Sequence, residues 1–196
     1  MTMNGKSFEG VAEGQRGWPT QSQLRAIKLV IFDVDGVMTD GRIILNDRNE
    51  QSKFFDVRDG AGVTLLQNGG IMAALLTGRE SEVVNARARE LKLPPERVRQ
   101  GAKVKLPVFE RLLSELKLQA HECVFMGDDL IDLPVLERAG IAACPAESYA
   151  DVQACSHIVS LKRGGRGAVR TVCEYLLKAR FDGSWEKAVA QYLGRV

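Results

Sequence analysis

The chain has 196 residues, enough for one α/β domain with a sizeable core. Hydrophobic residues make up 45% and charged residues 27%, and a net charge of +2 provides no field that would draw in nucleic acid or a membrane surface. No apolar stretch is long enough to span a bilayer, and none of the four cysteines (Cys123, Cys144, Cys155, Cys173) forms a C-x-x-C pair, which argues against a zinc site.

Met1 to Thr20 is Gly-rich and polar and lacks the apolar core of a signal peptide. Residues 1–24 therefore read as a disordered arm. Leu29-Val30-Ile31-Phe32 is a continuous apolar run, the pattern of a strand buried on both faces. It ends abruptly in Asp33-Val34-Asp35-Gly36. Residues 42–55 hold two short β-prone runs around an Asn/Asp cluster, a hairpin signal. Asp59-Gly60-Ala61-Gly62 leads into a helix closed by Gly69-Gly70.

Ile71 to Leu76 is a second buried strand and ends in Thr77-Gly78-Arg79. A helix from about Glu80 to Lys92 stops before Pro94-Pro95. A short strand is expected at Val98-Arg99. Lys105 to Lys117 is helical, with Leu106, Phe109, Leu112, Leu113 and Leu116 at helical spacing. Cys123 to Met126 is a third buried strand, ending in Gly127-Asp128-Asp129-Leu130-Ile131-Asp132. A helix to Ala139, a strand from Ile141 to Cys144, a short helix and the strand His157 to Ser160 follow. Gly164-Gly165-Arg166-Gly167 opens a helix to about Ala179, and a short helix is expected from Trp185 to Tyr192. The main domain thus spans 25–180 and a tail spans 181–196. Cys123 and Cys144 lie in apolar runs and read as reduced thiols, which fits the cytoplasm. His121 and His157 flank strands and read as surface residues.

Alternating strands and helices imply right-handed crossovers and a doubly wound, mainly parallel sheet. Parallel strands put their carboxyl ends on one edge, where ligands bind. Asp33 and Asp35, Thr77-Gly78-Arg79, and Asp128 and Asp129 then converge. Carboxylates so close repel unless a cation is shared, and oxygen-only ligands select a hard cation such as Mg²⁺. Thr77, the amide of Gly78 and Lys105 are suited to phosphate oxygens. Asp33 becomes a candidate nucleophile and Asp35 a candidate acid/base.

Asp33-Val34-Asp35-Gly36-Val37, Leu76-Thr77-Gly78-Arg79, Lys105 and Gly127 to Asp132 resemble, in order and spacing, the four motifs of the haloacid-dehalogenase superfamily phosphatases. The resemblance covers about Ile27 to Ala179. It implies Asp33 as nucleophile and Asp35 as acid/base, Thr77 and Lys105 as phosphoryl holders, and Asp33, Asp35 (through its main-chain carbonyl) and Asp128 as Mg²⁺ ligands. Asp129 and Asp132 read as supporting or helix-capping residues. The fold implied is Rossmann-like with a projecting hairpin, and the stretches between motifs are too short for a large cap domain.

The hairpin, Phe55 to Gly60 and Gly164 to Arg170 further resemble the 3-deoxy-D-manno-octulosonate 8-phosphate phosphatases, capless tetramers of lipopolysaccharide synthesis. This resemblance implies a Mg²⁺-dependent phosphatase of a small acidic sugar phosphate, acting as a homotetramer with no nucleic-acid or membrane partner. It implies substrate contacts from Asp35, Asp56, Val57, Arg58, Asp59, Gly60, Thr64, Gly78, Arg79, Arg87, Lys105 and Arg166. Gly164, Gly165 and Arg166 would line the entrance, and the tail would be free to reach a neighbouring site. The chain departs from that family in Asp56, where Asn is usual, in Thr171, where Glu is common, and in its long N-terminal arm. Competing readings are a phosphatase of a nonulosonate or other sugar phosphate, a non-catalytic oligomerisation domain, and a signalling receiver domain. The intact Asp33, Asp35, Lys105 and Asp128 argue against the second. Against the third, Asp33 follows the first strand expected in the chain.

Overall fold

The structure, a computed structural model, describes residues 10–48 and 51–195. Its strands are β1 (Val11–Glu13), β2 (Leu29–Phe32), β3 (Ile44–Leu45), β4 (Gln51–Ser52), β5 (Met72–Leu76), β6 (Val98–Arg99), β7 (Cys123–Met126), β8 (Ile141–Cys144) and β9 (Ile158–Ser160). Its helices are α1 (Gln21–Ala26), α2 (Val57–Asn68), α3 (Glu82–Glu90), α4 (Lys105–Leu116), α5 (Leu133–Arg138), α6 (Ala150–Ala154), α7 (Ala168–Arg180) and α8 (Trp185–Tyr192).

Seven strands form one sheet in the order β1-β9-β8-β7-β2-β5-β6, parallel except for β1, and β3 pairs with β4 in a separate hairpin. From β2 the chain winds outward through β5 and β6, then returns to the other side of β2 to lay down β7, β8 and β9. The carboxyl end of β2 is therefore a topological switch point, where open α/β sheets hold their ligands.

Side-chain alternation along the strands splits the core into two layers. Val30, Phe32, Leu75, Val124 and Met126 face one side, with Leu66, Val84, Val172 and Leu176 from α2, α3 and α7. Leu29, Ile31, Leu76 and Phe125 face the other, with Phe109, Leu112, Val135 and Val152 from α4, α5 and α6. Complete burial of each Leu, Ile or Phe contributes roughly 1.5–3 kcal/mol. These layers hold the strand ends in place.

Three expectations change. The arm expected to be disordered over 1–24 is folded from Gly10 onward, while residues 1–9 lie outside the described residues. Val11 to Glu13 pair antiparallel with β9, and Thr20 caps α1 in a reciprocal box with Gln23. The pairing supplies ladder hydrogen bonds that a three-residue strand cannot find alone. The tail, whose last residue also lies outside the described residues, folds back on its own domain. Trp185 packs against the core beneath the cations of Arg170 and Lys178, and Gln191 donates to the Asn68 carbonyl. His157 is buried, its Nδ1 accepting from the Ala142 amide, and burial pulls its pKa down to about 4.

Candidate active site

β2 delivers Asp33 to the switch point, and the chain then turns through Gly36 at φ +92°. Asp128, from the end of β7, occupies the space where a side chain at Gly36 would begin, so the turn can approach it only as glycine. Asp132 comes from the 3₁₀ turn that follows, which Asp129 caps by accepting from the Leu130 amide. Lys105 is the first residue of α4, and its ammonium is buried between Asp33 Oδ1 at 2.9 Å and Asp132 Oδ1 at 2.6 Å.

Asp33, Asp128 and Asp132 each offer a carboxylate oxygen, and all three oxygens lie within 4.8 Å of one another. Asp132 is the organiser. Its Oδ1 takes Lys105, and its Oδ2 accepts from the amides of Asp128 and Asp129. The other two carboxylates are under-satisfied. Asp33 Oδ1 touches Lys105 as an ion contact but lies outside hydrogen-bond alignment. Asp128 Oδ1 is buried with no donor among the described residues. Burial is the main force pushing Asp33 up to about 7, opposed by Lys105 and assisted by Asp132. Burial, then the charges of Asp33 and Asp132, push Asp128 up to about 8. Burial works against the Lys105 ammonium, but the two aspartates outweigh it and raise its pKa. An unpartnered Asp128 Oδ1 and an Asp33 Oδ1 held only by the Lys105 ion contact, in an all-oxygen cluster, fit a hard divalent cation such as Mg²⁺.

The ligand set expected from sequence was the Asp33 and Asp128 carboxylates with the main-chain carbonyl of Asp35. The carboxylate cluster holds Asp33 and Asp128 together with Asp132, read from sequence as a supporting residue, and the Asp35 side chain is not part of it. Beyond the strand end the chain turns, and Asp35 Oδ1 is held by Lys53, whose buried ammonium reaches in from just after β4. Lys53 was not picked out from sequence, because nothing local in Gln51-Ser52-Lys53 marks it as pointing inward. Thr77 is buried at the end of β5. Its amide donates to Arg99 and its carbonyl accepts from Ala102, which fixes Gly78 beside the cluster.

The remaining expected contacts divide into two groups. Arg79 is exposed at the mouth of the site, and Val57 and Arg58 are exposed at the start of α2. Asp56 caps α2 and pairs with Arg58, whose hydrogen bonds lower the Asp56 pKa. Others make hydrogen bonds within the protein. Asp59 is buried and accepts from the amides of Gly167 and Arg170 at the start of α7. Burial nevertheless drives its pKa up to about 6. Arg87 is buried over Phe55 and donates to the Asp56 carbonyl, with Gly60 directly beneath its guanidinium. The Thr64 hydroxyl donates to the Gly60 carbonyl. Gly164 and Gly165 pack against the loop of residues 36–40, the Gly165 amide donating to Val37, while Arg166 pairs with Asp40 at 3.4 Å. They buttress the loop that follows Asp33, where sequence suggested an entrance lining. Among the described residues, no helix is long and apolar enough to cross a membrane.

No family model matches the chain. It is 39% identical over 154 residues to the 3-deoxy-D-manno-octulosonate 8-phosphate phosphatase KdsC of Yersinia pestis, covering 79% of this chain and 81% of that one. A Moraxella catarrhalis 3-deoxy-D-manno-octulosonate 8-phosphate phosphatase, solved in complex with magnesium ion, phosphate ion and KDO, superposes with a TM-score of 0.82. It is 36% identical, over 88% of this chain and 97% of that one. A HAD superfamily (subfamily III A) hydrolase from Legionella pneumophila gives a TM-score of 0.83 at 32% identity, over 89% of this chain and 93% of that one. The fold and the aspartate–lysine cluster define a capless HAD phosphatase. Within that class, the chain belongs to the KdsC family of 3-deoxy-D-manno-octulosonate 8-phosphate phosphatases.

Proposed function

We propose that the protein hydrolyses 3-deoxy-D-manno-octulosonate 8-phosphate to the free sugar acid and phosphate, as a step in lipopolysaccharide synthesis. The carrying observation is the buried cluster of Asp33, Asp128, Asp132 and Lys105, with Asp128 Oδ1 left without a donor among the described residues, in a chain 39% identical to a phosphatase of that name. Asp33 attacks phosphorus, and the bond from phosphorus to the sugar oxygen breaks. Asp35 gives the leaving oxygen its proton. Asp35, now ionised, takes a proton from water as that water attacks the aspartyl-phosphate, which releases phosphate and restores Asp33. Lys53 holds Asp35 Oδ1 and leaves Oδ2 for these transfers. Lys105, the Thr77 hydroxyl and the Gly78 amide hold the phosphoryl oxygens. Asp33 and Asp128, with the Asp35 carbonyl, would hold Mg²⁺, which supplies charge neutralisation for the phosphate.

Chelation tests the metal requirement. Excess chelator is expected to stop phosphate release from this substrate, and added Mg²⁺ to restore it. Asp128→Ala is expected to raise the Mg²⁺ concentration needed by about tenfold or more. Full turnover in excess chelator would refute the assignment.

The enzyme works in the cytoplasm as a homotetramer. Free cysteines, three of them buried, support the compartment. The hairpin supports the assembly, because Ile43 is 47% exposed, Leu45 57% and Phe54 65%, apolar side chains that gain from burial against another subunit. Light scattering coupled to size exclusion is expected to return four chains, and a monomer at micromolar concentration contradicts this.

A further inference from the structure

Beyond the phosphoryl-holding corner, the end of β5 opens into a cleft of about 490 Å³ lined by Gln51, Gly78, Arg79, Glu80, Gly101 and Lys103. Its size is that of a small-molecule site. It begins at Gly78, so the group esterified to a phosphate held by Lys105, Thr77 and Gly78 has this space beside it. The lining is charged unevenly. Arg79 and Lys103 are exposed cations with no ion pair among the described residues, set against the single carboxylate of Glu80. One positive charge is left over. Gln51 enters from β4, and its Oε1 is buried with no hydrogen-bond donor among the described residues. Such an acceptor is costly to leave unmet, and a hydroxyl meets it.

The segment from Gly101 to Lys105 makes two clamps in a few residues. A tight turn, closed by the Lys103 amide donating to the Gly101 carbonyl, turns Lys103 outward to the cleft while Lys105 is buried among the aspartates. The Ala102 amide donates to the Thr77 carbonyl and ties this turn to the end of β5.

We infer that this cleft is the subsite for the sugar-acid body, and that Lys103 is the residue by which this chain selects acidic over neutral sugar phosphates. Lys103 and Arg79 hold the carboxylate, and the surplus of one positive charge matches the one negative charge that a sugar acid adds to its phosphate. Gln51 and Glu80 accept from hydroxyls, which acidic and neutral sugars share. The inference rests on the substrate reading above and adds to it the residues that enforce the choice.

The test compares 3-deoxy-D-manno-octulosonate 8-phosphate with ribose 5-phosphate, which has hydroxyls and no carboxylate. In Lys103→Met, KM for the acid is expected to rise about tenfold with kcat nearly constant, as for loss of a charge-assisted hydrogen bond. The ratio of kcat/KM, acid over neutral, then falls about tenfold, and Lys103→Arg restores it. Gln51→Leu is expected to lower kcat/KM for both sugars and leave their ratio unchanged. An unchanged ratio in Lys103→Met, or Lys103→Arg as impaired as Lys103→Met, overturns the assignment of Lys103 while the substrate reading stands. A wild-type enzyme with no preference for the acid overturns the substrate reading and the subsite together.

Discussion

Asp33→Asn is expected to abolish turnover, by about 10³-fold or more, in a protein that still folds. Asn keeps the shape of Asp and replaces the attacking carboxylate with an amide that does not form the acyl-phosphate. The environment indicates that folding survives the change. Asp33 lies at the end of a fully buried strand, its amide donates to the Met126 carbonyl, and its side chain is crowded by Asp128 and Asp132. Neutralising it removes a repulsion that raises the pKa of Asp128. It also takes one anion from Lys105, which keeps Asp132 at 2.6 Å. Phosphate release and a thermal melt on the same preparation check both halves. Turnover within tenfold of wild type removes Asp33 from the nucleophile role.

Lys105→Ala carries the second large effect, a loss of about 10²-fold or more in kcat together with a lower melting temperature. A lysine on a solvated helix face would change activity less than twofold when truncated. Lys105 is buried and is the cation between Asp33 and Asp132, so removing it strands two carboxylates in a dry site. Breaking a buried pair from one side costs on the order of 3–5 kcal/mol. The chemistry suffers as well. Lys105 is the main influence holding the Asp33 pKa down against burial, so its loss removes a cation that favours the ionised, attacking form of Asp33. Stopped assays on protein shown to be folded by circular dichroism separate the kinetic loss from the loss of stability.

Much of this site is legible in sequence because buried parallel strands announce themselves. Leu29 to Phe32, Ile71 to Leu76 and Cys123 to Met126 are apolar runs that end in Asp33, Thr77 and Asp128. Parallel topology alone brings those ends together. The capping role of Asp129 was readable for the same local reason. Other parts depend on tertiary partners that no local pattern reports. β1 exists through its pairing with β9, although Thr20-x-x-Gln23 was a capping-box signal for α1 that could have shortened the disordered arm. Asp59, Arg87 and Thr64 sit in or near motifs that suggest substrate, yet Asp59 ties α2 to α7, Arg87 ties α3 to the start of α2, and Thr64 bonds within α2. A charged side chain reads the same in sequence whether it meets a ligand or a buried helix end. Lys53 and Asp132 changed the picture of the cluster most. Each acts across a turn or a hairpin on an aspartate far away in the chain, Lys53 on Asp35 and Asp132 through Lys105 on Asp33.

The central claim concerns which phosphate ester this cluster serves. The direct measurement is phosphate release, with and without Mg²⁺, from 3-deoxy-D-manno-octulosonate 8-phosphate, a nonulosonate 9-phosphate, ribose 5-phosphate and p-nitrophenyl phosphate. The expected result is Mg²⁺-dependent release from all that react, with kcat/KM for 3-deoxy-D-manno-octulosonate 8-phosphate at least about tenfold above each of the others. A higher kcat/KM for the nonulosonate, equal values across the panel, or no release from any ester would contradict it.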